Sequence, residues 1–492
     1  MWGRSLYLGI DIGTSAVKAV LADESGRIHA ESSAPLRVSR PRAGWSEQDP
    51  EDWWRATGDA VRGLPAAGRR VTRALGLSGQ MHGATLLDPA DRVLRPAILW
   101  NDGRSESECA ELEAAVPGLG QISGNRAMPG FTAPKLLWVR RHEPGVFAAI
   151  SRVLLPKDFV RLRMTGEAAS DLSDSAGTLW LDVRARRWSG ELLGATGLAE
   201  RHMPVLVEGT MQTGSLRADC ATEWGLARIP VYGGGGDNAA GAAGVGVVRD
   251  GEALLSLGTS GVLFLANDAC RPDPSNGVHT FCHAVPDRWH QMSVILSAAS
   301  CLEWAARACG CVDAGALLSQ VEADDRLAGT ELFLPYLSGE RTPHNDPRAR
   351  GVLYGLTHDS TPARIGRAVL EGVAFAFRDG LDALRHTGSR IDSISVIGGG
   401  ARSVYWGRIL ASVLDAPLTY RDGATVGAAA GAARLAFIGH TGTAVELACQ
   451  PPPVQQVVKP DPGLVSHYAA RLPRYRALYR ALQTSFREFH DD

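Results

Sequence analysis

A chain of 492 residues exceeds the size at which one hydrophobic core stops growing, so two or three domains are expected. Hydrophobic content of 45%, charged content of 21% and a formal charge of -2 are ordinary for a soluble globular enzyme and give no basic excess for a nucleic acid. No apolar run approaches the ~18 residues of a membrane span, and the eight cysteines lack zinc or redox spacing, Cys309 and Cys311 being the one close pair. Free thiols in a reducing compartment follow. The start, MWGRSLYLGIDIG, becomes strand-like at once, so no signal peptide and a cytoplasmic protein are expected.

In chain order, LGIDIGTSAVKAVLAD (8 to 23) comes first, with β-prone residues on both sides of a Gly-Thr-Ser turn. A hairpin is predicted whose turn offers backbone N–H groups and two hydroxyls, groups that bind phosphate oxygens. ALGLSGQMHGATLLD (74 to 88) and RPAILWNDGR (95 to 104) read as strands ending in polar loops. IPVYGGGGDNAAGAAGVGVV (229 to 248) reads as a strand, a glycine turn and a helix of small residues, with Asp237 at the helix start. The segment Arg249 to Gly251 marks a domain boundary, giving 1–249 and 250–492.

The second half repeats the first. LLSLGTSGVLFLAND (254 to 268) copies the opening hairpin about half a chain away, which favours two similar domains over three. Gly-Thr-Ser alone is a common hairpin turn; its recurrence is the signal. Asp11 of the first copy aligns with Ser256 of the second, so one hairpin carries a carboxylate able to handle a metal ion. SISVIGGGARSVYWGRILASVL (393 to 414) again reads strand, glycine turn, helix, and the extension after about Gly442, with Pro451 to Pro453, is expected to be peripheral. The class is α/β, sheets covered by helices.

No G-x-x-x-x-G-K-[ST] loop and no G-x-G-x-x-G fingerprint occurs, which disfavours two common nucleotide folds. Gly398 to Gly400 suit either a close backbone approach to a ligand or tight strand–helix packing. Asp237 is either a helix cap or a base. The surrounding glycines favour a site open to ligand, where a carboxylate kept ionised by the helix dipole accepts a proton from a substrate hydroxyl.

These residues carry a resemblance. GIDIGTSAVK, GWSEQDPEDWW, GQMHGATLLD, RPAILWNDGR, PGFTAPKLLWVRRHEP, LLPKDFVRLRMTGE, GGGDNAAGA, LSLGTSG, FLPYLSGERTPHNDP and IGGGARS follow one another as in the carbohydrate kinases that include glycerol kinase, gluconate kinase and xylulokinase, the last being the branch it most resembles. GFTAPKLLWVRRH (130 to 142) fits one family signature throughout, while GVLYGLTHDSTPARIGRAVLEG (351 to 372) departs from a second at Arg364, a position expected on a helix face. The resemblance implies two actin-like, ribonuclease H-like domains with an interdomain cleft, sugar in the N-terminal half and ATP with Mg2+ in the cleft. It assigns Asp237 as general base, Met81 and His82 to the sugar, and Trp100, Asn101, Asp102 and Asn238 as further sugar candidates. Thr14, Gly258, Thr259 and Gly400 fall to the nucleotide and Asp11 to magnesium, through water. The C5 hydroxyl of D-xylulose is the acceptor so implied, and a homodimer the assembly. Ribulose, gluconate and glycerol kinases are alternatives; an actin-like ATPase switch would not need GGGGDN and GQMHG, and a pseudokinase would have lost Asp11 or Asp237.

Overall fold

Two mixed sheets of one plan organise the chain in the computed structural model, which describes residues 5–324, 327, 329–421 and 427–488. The first sheet holds β1 (Leu6–Ile12), β2 (Ala16–Ala22), β3 (Ile28–Pro35), β4 (Thr72–Gly79), β5 (Gln212–Ser215) and β6 (Pro230–Gly236), in the order β5-β6-β4-β1-β2-β3. The second holds β7 (Glu252–Leu257), β8 (Gly261–Asn267), β9 (His279–Cys282), β10 (Trp289–Ile295), β11 (Ser393–Ile397), β12 (Leu418–Arg421) and β13 (Val454–Val458), in the order β9-β10-β8-β7-β11-β12-β13. In each, three antiparallel strands continue into two parallel strands: β3-β2-β1-β4-β6 and β10-β8-β7-β11-β12. This is the ribonuclease H plan twice over, the architecture of actin-like domains. The two Gly-Thr-Ser triplets sit in the hairpin turns, with Asp11 opposite Lys18 and Ser256 opposite Val262.

Strand periodicity decides where Asp11 points. Leu6, Leu8, Ile10 and Ile12 of β1 face one apolar cluster, packed with α1 (Pro50–Arg62) through Trp53 and, beyond α2 (Thr132–His142), with α3 (Pro156–Thr165) through Phe159. Tyr7, Gly9 and Asp11 occupy the other face. There lie α4 (Asp237–Gly244), which follows β6, and, past α5 (Pro362–His386) and α6 (Val404–Leu414), α7 (Ala428–Thr441), which follows β12. The two helices pack on each other between the sheets, and their small residues set the distance: a Cβ on Gly431 would lie 1.7 Å from the Ala240 carbonyl oxygen. Although the chain passes between sheets at 245–251, α7 therefore lies against β1 and β4, so the unit built on the first sheet includes a helix from the C-terminal half.

Two expectations need correcting. The segment after Gly442 is not peripheral: β13 pairs with β12, and α8 (Pro462–Glu488) buries Tyr468, Tyr475, Tyr479 and Phe486 in the second core. Those aromatics recur at helical spacing, but the arginines between them disguise the apolar stripe. RPAILW supplies only the two-residue strand Ala97–Ile98, paired with Glu47–Gln48. Arg364 stands in the first turn of α5, paired with Glu331 at 3.2 Å, so its departure from the signature is absorbed by an ion pair.

Candidate active site

The carboxyl ends of β1, β4 and β6 lie side by side, since Asp11 is level with Ser78 and Gly236 with Gly79. Three connections, at 13–15, 80–84 and 236–238, thus open on one edge of the first sheet. The turn 258–260 and the glycine turn after β11 open in the same way on the second sheet. Between the halves is a cavity of about 280 Å³, bordered by Met81, His82, Trp100, Asp237 and Asn238 from one side and by Ser260, His279 and Arg341 from the other. A larger cavity of about 440 Å³ in the C-terminal half lies apart, and its Asp379 and Asp382 are already paired with Arg476.

Asp237 is the first residue of α4, not its cap; Gly236 holds the cap position with extended backbone. Its Oδ1 accepts from the Asn238 N–H at 2.7 Å and from Asn238 Nδ2 at 2.9 Å. Burial nevertheless pushes the carboxyl up to about 6, outweighing those two bonds. Desolvation outweighs the groups that favour the charged form, so the carboxyl titrates near neutrality while still mostly ionised at pH 7, the range in which a general base is most effective.

The four glycines before it lie inside β6 rather than in a turn after it. Gly234 has φ +75°, and a Cβ there would lie 1.7 Å from the Leu77 carbonyl oxygen, so backbone contact with β4 requires glycine. Of the run, Gly236 lies next to the Met81 thioether, a side chain that borders the cavity. The glycines serve strand packing more than ligand access.

His82 adopts the left-handed backbone, φ +70°, which few non-glycine residues do. Its carbonyl is held by Thr132 Oγ1 at 3.1 Å and Lys135 Nζ at 2.9 Å, both from α2 in the GFTAPK segment. Burial drives the imidazole down to about 3, so it is neutral; with Nδ1 donating to the Gly177 carbonyl at 2.6 Å, Nε2 is left as an acceptor. Sequence reasoning did not single out Thr132 and Lys135, although the signature containing them was matched in full.

Trp100 is 44% exposed, and its Nε1 donates to Thr14 Oγ1 at 3.0 Å, which in turn donates to Gln80 Oε1 at 3.1 Å. Thr14 is thus tied to the GQMHG loop as well as to its own turn. Asn101 is exposed and does not border the cavity. Asp102 is 2% exposed, and its carboxylate is taken by the Ser46 N–H at 2.5 Å and by Arg104 Nε and Nη2 at 2.9 and 2.7 Å. Those two sugar candidates are not brought to the cavity. Gly258, Thr259 and Gly400 meet at the β7–β11 edge, where a Cβ on Gly400 would lie 2.6 Å from Leu257 Cγ; Gly399 has open space. Packing explains Gly400, and Gly399 is the freer approach.

Asp11 does not border the cavity but lies near Asp237, at the end of β1 level with Ser78. Burial, then repulsion from Asp237, raises its carboxyl to about 7 against the opposing pull of Lys18, and its buried Oδ1 has no hydrogen-bond partner among the described residues. A buried carboxylate with one unpartnered oxygen fits a hydrated cation whose other ligands come from phosphate and water. No cluster of three or more metal-ligating side chains occurs among the described residues, so a protein-only metal cage is absent there. Nor is any helix among them long and apolar enough to cross a membrane.

Residues 6–244 match the N-terminal domain of the FGGY family of carbohydrate kinases, and residues 253–440 match its C-terminal domain. The chain belongs to this family. It is 53% identical to the xylulose kinase of Escherichia coli (strain K12) over 480 residues, 97% of this chain and 99% of that protein. A xyloylose kinase from Brucella ovis superposes with a TM-score of 0.94 at 52% identity, covering 97% of this chain and 99% of that one. The gluconate kinase of Lactobacillus acidophilus, at 24% identity and a TM-score of 0.91 with 99% of each chain covered, shares the fold alone. The family places the chain among ATP-using phosphotransferases acting on sugars, and the substrate is decided by the cavity rather than by the fold.

Proposed function

We propose that this kinase transfers the terminal phosphoryl group of ATP to the C5 hydroxyl of D-xylulose, giving D-xylulose 5-phosphate and ADP. The observation that carries the chemistry is Asp237, a single carboxylate poised near neutrality in a cavity shared by both halves of the chain. Whole-length identity of 53% to a xylulose kinase supports the choice of sugar.

In this reading Asp237 accepts the proton of the C5 hydroxyl as its oxygen bonds to phosphorus and the bond to the ADP oxygen breaks. The transition state is loose, so orientation and charge neutralisation carry most of the catalysis and the base a smaller part. His82 Nε2 accepts from a sugar hydroxyl, and Met81 lines the apolar side. The turns at Thr14 and at Gly258 and Thr259, with Gly399 and Gly400, provide the phosphate contacts. Asp11 would hold Mg2+ through water, and the ion supplies neutralisation of phosphate charge when bound. Burial of the sugar between the halves keeps water, the rival acceptor, from the reacting phosphoryl group. A reducing cytoplasm suits the eight free thiols.

Phosphorus and carbon NMR of the product tests this. Coupling of phosphorus to C5 is expected; phosphate on C1, or ATP consumed with no sugar phosphate formed, would overturn the reading.

A further inference from the structure

The sugar-facing groups found from sequence all lie before residue 239, yet the cavity has a second wall. Ser260, His279 and Arg341 supply its polar groups, and all come from the C-terminal half. The backbone around Arg341 is pinned on each side. Glu340 Oε1 accepts from the Leu296 N–H at 3.1 Å and the Arg341 N–H at 2.7 Å. Thr342 Oγ1 accepts from the Val294 N–H at 3.0 Å and donates to the Gly277 carbonyl at 2.9 Å. The guanidinium so presented has no carboxylate partner within salt-bridge distance among the described residues.

His279 is 3% exposed, and its tautomer is fixed by its neighbour. Asn125 Nδ2 donates to the Ser123 and Thr280 carbonyls, so Asn125 Oδ1 is the acceptor that meets His279 Nδ1 at 2.9 Å. Nδ1 therefore carries the proton, and the buried Nε2 is an acceptor without a partner among the described residues. Beside the Ser260 hydroxyl, which can do both, the wall offers one group that only donates and one lone pair that only accepts.

Position then selects the ligand atoms. His82 and His279 flank the Phe131 ring, at 4.5 and 5.8 Å between centroids, and Arg341 borders the cavity with them, whereas Asp237 enters from the start of α4; the histidine and arginine lining thus offers an end distinct from the base. A sugar with its C5 hydroxyl at Asp237 presents C1 and C2 to that end. The C2 ketone oxygen only accepts, which suits a guanidinium; the neighbouring C1 hydroxyl can donate to an imidazole nitrogen. We infer that Arg341 is a specificity-determining residue that recognises the C2 carbonyl oxygen of the ketose, with His279 Nε2 receiving the C1 hydroxyl. This rests on D-xylulose as the substrate and deepens that reading: the C-terminal half reads the end of the sugar that distinguishes a ketose from a polyol.

The test compares kcat/KM for D-xylulose and for D-arabinitol, which keeps the C3 to C5 configuration and has a hydroxyl in place of the ketone, in wild type, Arg341→Met and Arg341→Lys. Arg341→Met should lower the D-xylulose value by roughly 10²- to 10³-fold and the D-arabinitol value by less than about threefold, collapsing the preference, since a lost charged donor matters only where its acceptor is present. Arg341→Lys, which keeps the charge and serves if the methionine variant does not fold, should give an intermediate ratio and an unchanged KM for ATP. Equal losses on both sugars, or an unchanged ratio, would overturn the assignment while leaving the kinase reading intact. A wild-type preference for D-gluconate over D-xylulose would overturn the substrate reading and this assignment together.

Discussion

Replacing Asp237 with asparagine should make the protein more stable and nearly inactive at once. The carboxyl rises from its ordinary 3.8 to about 6, chiefly through burial, so above pH 6 the native state holds a charge that the unfolded chain solvates better. A shift of that size corresponds to about 3 kcal/mol at 1.36 kcal/mol per unit, lowered to about 1–2 kcal/mol because solvent reaches the cavity. Asparagine keeps Oδ1, and with it the bonds from Asn238 N and Nδ2, so the start of α4 is undisturbed. The sign follows from linkage: the cost is absent below about pH 4, builds as pH rises through 6, and is constant above. Chemical denaturation at pH 8 should therefore show Asp237→Asn more stable than wild type, with the difference fading by pH 4, while kcat falls by roughly 10²- to 10⁴-fold and sugar still binds. A variant no more stable at pH 8, turning over at near wild-type rate, would refute the assignment of base and burial alike.

Further expectations come from the same geometry. The acid limb of kcat/KM should fall with an apparent pKa near 6 as Asp237 protonates, reaching about a tenth of the plateau at pH 5; a profile flat down to pH 5 would exclude Asp237 as the titrating base. Asp11→Asn should weaken productive use of MgATP and leave sugar binding, followed by calorimetry, near normal; identical magnesium titrations for the two proteins would remove Asp11 from the site. Lys135→Met strips one of two donors from the strained His82 carbonyl and should raise the KM for sugar by roughly tenfold with little change in kcat, so an unaltered KM would show that Thr132 suffices. Gly234→Ala should abolish folding of the first-sheet unit, because its Cβ would meet the Leu77 carbonyl at 1.7 Å and a φ of +75° disfavours alanine; a soluble, active alanine variant would contradict the strand contact.

What was legible in the sequence was local and periodic. The two Gly-Thr-Ser hairpins, the strand leading to Asp237 and the strand, glycine turn and helix at 393 to 414 all rest on neighbours in the chain. The half-chain repeat made two similar sheets inferable. Contacts across the fold were not legible. Asp102 looked like a sugar ligand beside Trp100 until Arg104 and Ser46 were seen to occupy its carboxylate. The glycines of β6 looked like room for a ligand, while the residue they accommodate, Leu77, lies on β4, far away in sequence. Helix α7 docks on the opposite sheet through small residues that, read singly, carry no direction. Arg341 lay within the matched stretch FLPYLSGERTPHNDP without being singled out, and His279 lies in a strand that carries no motif; only the fold sets both beside His82 in the lining of one cavity.

Competition among acceptors in one tube tests the central claim most directly. With D-xylulose, D-ribulose, glycerol and D-gluconate at equal concentration and limiting ATP, product ratios report the ratios of kcat/KM without separate fits. D-xylulose 5-phosphate is predicted to be the principal product. A majority of glycerol phosphate or 6-phosphogluconate would leave the family in place and contradict the substrate.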